Sequence, residues 1–255
     1  LEYVPAPGQF VNASLPKYEA GDTDESIRAK AESTMKAGSS FIGLGAYGGY
    51  VVVGFDKPIV NVPGEYDFKT AGNAYVNNAE CGIIMVSQDK NGNGLPDDEW
   101  YELAGSEYNN PKTETPDENY INNPASFRTE TENNNIADVM WKDNLGNTGY
   151  VLRNTFHKQQ SYYPMWIESD ELTFSGSLLP SNAVQSGNIW QFPAYDWGYA
   201  DNWSANEPDE KIGMKIDWAV DKYGNPVRLT HIDFVKVYTA LNQCVGAVGE
   251  TSTEF

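Results

Sequence analysis

The chain has 255 residues, 40% of them hydrophobic, with 16 Tyr, 10 Phe and 7 Trp, which is enough for one large all-β domain with a full core. A net charge of −19, from 17 basic and 36 acidic residues, argues against nucleic acid and anionic lipid as partners, since both would be repelled. Cys81 and Cys244 without CxxC spacing, and only His157 and His231, argue against zinc knuckles and histidine-rich metal sites, and no apolar run is long enough to span a bilayer.

Residues 1–22 read as irregular, broken by Pro5, Pro7, Gly8 and Pro16. A helix is predicted over 23–37: Thr23 or Asp24 caps it, Ile27, Ala31 and Met35 share a face, and Gly38 follows its end. The glycine run Gly43–Gly49 lacks a GK[ST] ending and leads into a strand, so it reads as a bulge or a close backbone approach, not a phosphate loop. From there short β-like runs alternate with turns: 50–55, 82–87, 138–143, 148–156, 165–179, 211–220 and 231–241. The polar stretch 109–135 reads as a long excursion from a single domain spanning 1–255. Cys81 and Cys244 are left open between a bridge and two free thiols.

The pattern D-x-x-G-N occurs at Asp89–Asn93, Asp143–Asn147 and Asp221–Asn225, each time between β-like runs. Asp bonds the backbone ahead of it and Gly takes a left-handed conformation, so the pattern is first a hairpin turn. Only the first copy continues, as DKNGNGLPDDEW. There Asp89, Asn91, Asn93, Asp97 and Asp98 present side-chain oxygens, Gly94 falls where a calcium loop bends, and the Leu95 carbonyl falls where a backbone ligand belongs. Trp100 replaces the expected bidentate Glu and the flanks are strand-like, so the expectation is a structural Ca²⁺ loop set in a β-framework.

Aromatic residues crowd Phe156–Trp203. Tyr162, Trp166, Tyr195, Trp197, Tyr199 and Trp203, with Asp196 and Asp201 beside them, form a candidate stacking face for sugar rings or another flat ligand; the competing use of these rings is to close the end of a β-sandwich. There is no GxSxG or HExxH motif. Glu168 and Asp170, two apart on a predicted strand, keep a glycan hydrolase as the rival reading, and a module docking on a transporter without a small ligand is another.

The ordered blocks GGYVVVGFDKPIVNVPGEYDFKTAGNAY, IIMVSQDKNGNGLPDDEWYEL, YYPMWIESDELTFSGSLL, PAYDWGYADN and IDFVKVYTAL, with GETSTE near the end, resemble cell-surface proteins of gut Bacteroidetes, PKD-domain-associated or surface lipoproteins. The resemblance runs from about Thr23 to Phe255 and is most specific at 89–102 and 194–202. Gly48 to Ile59, followed by Pro63-Gly64, is also similar to galactose-binding-like jelly rolls. It implies a jelly-roll β-sandwich exported to the cell surface and anchored on the outer membrane, with signal and anchor outside this chain. It also implies the company of an outer-membrane transporter, and a glycan or a corrinoid as ligand. The combined expectation is an all-β, non-catalytic binding protein with a structural calcium loop.

Overall fold

Alternation of β-branched and polar residues in HIDFVKVYT makes one strand that the others gather around. The computed structural model of the chain describes residues 2–114, 122–123, 138–157, 160–169 and 171–255. Most of the expected 109–135 excursion, and Asp170, therefore lie outside the described residues. A six-stranded antiparallel sheet comprises β1 (Glu2–Val4), β2 (Tyr50–Val60), β3 (Gly82–Ser87), β4 (Trp100–Leu103), β5 (Ala219–Val220) and β6 (His231–Thr239). Its spatial order is β1-β2-β6-β3-β4-β5, so the last strand in sequence sits between β2 and β3.

Period two sorts the side chains of these strands onto two faces. Val51, Ile84, Val86, Val235 and Val237 point into the larger core, where α1 (Asp24–Ala37) adds Ile27 and Ala31, and Tyr3, Trp166, Met214 and Ile216 fill in. Ile83 and Tyr238 point the other way, against Leu179, Tyr199 and Cys81. Lys236 shares that second face, with Nζ 4.1 Å from the centre of the Tyr50 ring, which offsets part of the cost of enclosing the ammonium. Short ribbons complete the covering layers, among them Val139–Lys142 with Thr148–Val151 and Val184–Ser186 with Ile189–Gln191. The chain thus forms the expected all-β sandwich with a short N-terminal helix and long loops.

Helix α1 starts and stops where its sequence directs. Thr23 and Ser26 form a reciprocal capping box, and Gly38 closes the end at φ 61° with its N–H on the Met35 carbonyl. Three of the strand predictions change. The expected break after 50–55 is instead one strand to Val60, in which Phe55–Pro58 bulge out between the Gly54–Phe234 and Ile59–Ile232 pairs; Pro58 has no N–H to give a ladder. The expected strand 211–220 is broken into a helical turn (Asp209–Ile212), a two-residue strand (Gly213–Met214), a 3-10 turn (Ile216–Trp218) and the short β5. The Asp67 carboxylate takes the Ile216 N–H at 2.7 Å and the Val62 N–H at 2.8 Å, replacing ladder bonds with a side chain. Of the expected strand 165–179, the described residues that pair are Phe174–Ser175, with Asn122–Asn123, and Leu178, in a single bridge with Glu114. Cys81 and Cys244 are both free thiols.

The glycine run is a close backbone approach. The Ala6 N–H bonds the Leu44 carbonyl and the Ala46 N–H bonds the Pro7 carbonyl, so residues 44–49 lie directly on the N-terminal segment. Gly45 has φ 76°, and a Cβ there would overlap the Ala6 carbonyl oxygen. Gly45→Ala is expected to cost about 2 kcal/mol or more, read as a fall in the denaturant midpoint at unchanged slope. A loss of under about 0.5 kcal/mol would show that the approach is not tight.

Candidate functional site

The acidic loop connects β3 to β4. Its D-x-x-G-N does not fold like the other two copies. At Asp143 and at Asp221 the Asp N–H bonds the carbonyl of the Asn four residues on, and the Asn amide returns to the same Asp carboxylate, at 2.7 and 3.1 Å. Those two are the expected closed turns. At Asp89 the N–H goes instead to Asp233, and the Asp89 carboxylate collects the N–H groups of Gly92, Asn93 and Gly94. The reading of the first copy as the same hairpin turn is therefore corrected: its Asn93 is redirected to Asp97.

Asp97 is the centre of this loop. Asn91 Nδ2 lies 3.0 Å from its Oδ1 and Asn93 Nδ2 lies 2.9 Å from its Oδ2. Hydrogen bonds from Asn93, then Asn91, hold Asp97 below the usual carboxylate range, so it is ionised at neutral pH. Asp98 accepts the N–H groups of Lys90 and Asn91, and Leu95 gives its N–H to Asn93 Oδ1. Four of the expected ligand side chains, Asp89, Asn91, Asn93 and Asp97, are thus tied into one exposed loop. The one lysine in it, Lys90, is turned to the Tyr101 hydroxyl at 2.8 Å.

The aromatic candidates divide between core and surface. Tyr162 and Trp166 are buried in two different clusters, Trp166 sandwiched between Tyr3 and Tyr18 with centroids 6.4 Å away on each side. Tyr199 is buried in the second core and its hydroxyl accepts the Glu107 N–H. Tyr195 is half-buried, edge-on to Tyr199, with its hydroxyl on the Pro180 carbonyl. These four are packing residues, as plugs of the sandwich. Trp197 and Trp203 are half-buried and Asp196 is exposed. Trp203 donates Nε1–H to the Tyr195 and Asp196 carbonyls, folding 195–203 onto itself, and Lys211 Nζ sits 4.1 Å from its ring centre. Trp197 meets Trp218 at 4.5 Å between centroids, and Trp218 meets Tyr66 edge-on at 6.2 Å. Tyr66, Trp218 and Trp197 form a half-buried strip that sequence order hides, because the three rings come from separate segments.

Between α1 and the sheet an apolar groove of about 360 Å³ is lined by Met35, Val53, Ile59, Phe68, Val235 and Phe255. Lys36 and Lys69 at its rim are already paired, with Glu32 and Asp209.

Asp201 departs most from its expected role. It is 2% exposed, and its carboxylate accepts the Ala74 and Glu254 N–H groups at 2.9 and 3.0 Å. One carboxylate oxygen each from Asp201, Glu80 and Glu254 lie within 4.8 Å of one another. Burial, reinforced by mutual repulsion, pushes Asp201 and Glu254 well above the carboxylate range, and enclosure of its carboxyl raises Glu80 to about 7. Glu80 and Glu254 carried no spacing signal; 80, 201 and 254 are too far apart in sequence for a pattern to join them. Neither a protein-family model nor a curated protein sequence matches this chain.

A carboxyl away from this group gives a clean pH prediction. Glu102 on β4 accepts a 2.5 Å hydrogen bond from Ser177 Oγ, and enclosure raises its pKa from 4.5 to about 7. The folded state keeps a proton that the unfolded state releases, so this group's contribution to stability falls as pH rises from about 4.5 to about 7. Glu102→Gln is expected to raise Tm at pH 8 by roughly 2–5 °C and to change it little at pH 5. An equal change at both pH values would show that titration is not the cause.

Proposed function

We propose that the chain is a non-catalytic binding module of a bacterial cell surface that stacks a glycan sugar ring on Trp197, Trp218 and Tyr66. The observation that carries this reading is the strip itself: three half-buried rings in successive contact, with centroids 4.5 and 6.2 Å apart and planes at 42° and 80°. Sugar C–H faces suit such rings, and the exposed Asp196 beside Trp197 supplies an acceptor for hydroxyl groups, while Lys215 Nζ covers one face of Tyr66 at 4.5 Å from its centre and donates to the Gly64 carbonyl. Strong acidity keeps a displayed protein soluble. Among the described residues no helix is long and apolar enough to cross a membrane. The resemblance to Bacteroidetes surface proteins adds an outer-membrane anchor and a neighbouring nutrient transporter to the proposal, and a corrinoid as the other flat ligand to test. A hydrolase needs two accessible, converging carboxylates. Among the described residues one group of three carboxylates converges, Glu80, Asp201 and Glu254, with Asp201 and Glu254 buried and Glu80 half-buried.

In a calorimetric screen against glycans and corrinoids, Trp197→Ala with Trp218→Ala is expected to weaken a glycan hit at least tenfold with the fold intact. Binding that survives this pair and is lost on Val53→Arg places the ligand in the apolar groove and overturns the reading.

The proposal includes calcium at 89–98, held by Asp89, Asn91, Asn93, the Leu95 carbonyl and Asp97, with Asp98 beside them. The residues fit a hard cation: oxygen donors predominate, the loop carries excess negative charge, and turning the Asn91 and Asn93 amides exchanges N–H for C=O toward Asp97. Such an ion would stiffen a surface loop. Adding calcium to chelated protein is expected to slow hydrogen exchange at the amides of Gly92, Asn93 and Gly94, and Asp89→Ala with Asp97→Ala is expected to abolish the effect. Unchanged exchange in the unsubstituted protein would remove calcium from this loop.

A further inference from the structure

We infer that Glu80, Asp201 and Glu254 form an interior site for a divalent cation, and that calcium is the ion it fits. The three donors are carboxylate oxygens within 4.8 Å of one another. Two oxygens on one calcium at 2.3–2.6 Å lie at most about 5 Å apart, so a shift of a few tenths of an ångström at most brings these groups onto one ion; magnesium, at 2.0–2.1 Å, holds its ligands within about 4.2 Å and fits the wider end of this spacing less well. All donors are oxygen, which excludes the softer metals that select Cys and His.

An independent observation points to a ligand. Glu254 is 0% exposed, yet among the described residues no N–H or hydroxyl donor reaches its Oε1, Oε2 takes the Asn73 amide at 3.1 Å, and its other side-chain contact is the Glu80 carboxyl itself. A buried carboxylate oxygen facing other carboxylates is among the costliest groups to leave unmatched. The donors that do reach the group are neutral: the N–H groups of Ala74 and Glu254 on Asp201, and that of Ser252 on Glu80 at 3.4 Å. No lysine, arginine or histidine pairs with any of the three among the described residues. The surroundings are rich in unmatched acceptors, since Glu250 Oε2 and Gln9 Oε1 are also buried without partners. Backbone geometry is adapted to the arrangement: Asp201 takes the left-handed region at φ 49°, and Gly72 packs so closely on it that a Cβ would overlap the Asp201 carboxylate.

The site joins three distant segments. Glu80 precedes β3, Asp201 ends the loop that carries Trp197, and Glu254 belongs to the C-terminal stretch whose backbone pairs with Ile42 and Leu44. An ion there staples the aromatic loop to the sheet. This is independent of the loop at 89–98 and of the ligand on the strip.

The test uses the full chain carrying Asp89→Ala and Asp97→Ala, which removes the surface loop as a competing site. Elemental analysis of protein purified with calcium is expected to find one calcium per chain, and melting in calcium to exceed melting in chelator by about 5 °C or more, with a smaller gain from magnesium. Adding Glu80→Gln and Glu254→Gln is expected to remove both the ion and the response. Where that variant fails to fold, Glu254→Gln alone is read, with a calcium affinity expected to fall at least tenfold. A loop variant that holds no metal and melts identically in calcium and chelator overturns the inference, as does calcium retained at full affinity by the Glu254→Gln protein. The first of these results would mean that the three carboxyls share protons instead.

Discussion

Enclosing like charges is the constraint on which the rest of this structure turns. Transferring one carboxylate out of water costs several kcal/mol even after the protein relaxes, and repulsion between neighbours adds to that. Glu80, Asp201, Glu250 and Glu254 are nonetheless gathered where N-terminal, central and C-terminal segments meet. Glu80, Asp201 and Glu250 accept backbone N–H groups and Glu254 accepts the Asn73 amide, and those bonds hold together parts of the chain 53 to 241 residues apart. The pairing of Ile42 and Leu44 with residues 253–255, and the bond from Thr253 Oγ1 to the Glu80 carbonyl, close the same region. A cation or shared protons must complete it, and either choice ties fold stability to solution conditions.

Two of the places where this chain departs from a plain sandwich, the loop 195–203 and the carboxyl cluster, are linked. The loop 195–203 begins at Tyr195, whose N–H and carbonyl are both clamped by the Asn202 side chain, and it ends beside Asp201 in the carboxyl cluster. Trp203 closes the loop from the inside through its indole N–H. The surface position of Trp197 therefore rests on how firmly Asp201 is held. At the opposite end of β3, the loop at 89–98 is anchored through Asp233 on β6. Acidic side chains here organise backbone more than they decorate the surface.

Much of the fold was legible because its determinants are local. Thr23, Ser26 and Gly38 set the ends of α1 without help from elsewhere, and the alternation in 231–239 marked the central strand. The bulge at Phe55–Pro58 and the turn at Ile216–Trp218 were not legible, because the bulge is set by the register of β6 on either side of it and Asp67 captures a backbone 149 residues away. The three D-x-x-G-N copies make the same point. The pentapeptide is identical in pattern, and only the aspartate at 97 decides whether the asparagine closes its own turn or reaches outward. For the candidate sites, aromatic density found Trp197 and Trp203 but also gathered Tyr162, Trp166 and Tyr199, which are core. Composition cannot separate a ring that packs from one that is displayed. Trp218 and Tyr66, brought beside Trp197 by folding, were invisible to it, as were Glu80 and Glu254.

The most direct measurement is a crystal structure of the full chain grown with calcium, using long-wavelength anomalous data. A calcium peak between Glu80, Asp201 and Glu254, with oxygen distances of about 2.3–2.6 Å, is the predicted result. Well-ordered carboxyl groups in mutual hydrogen-bond contact, with no anomalous peak between them, would contradict it.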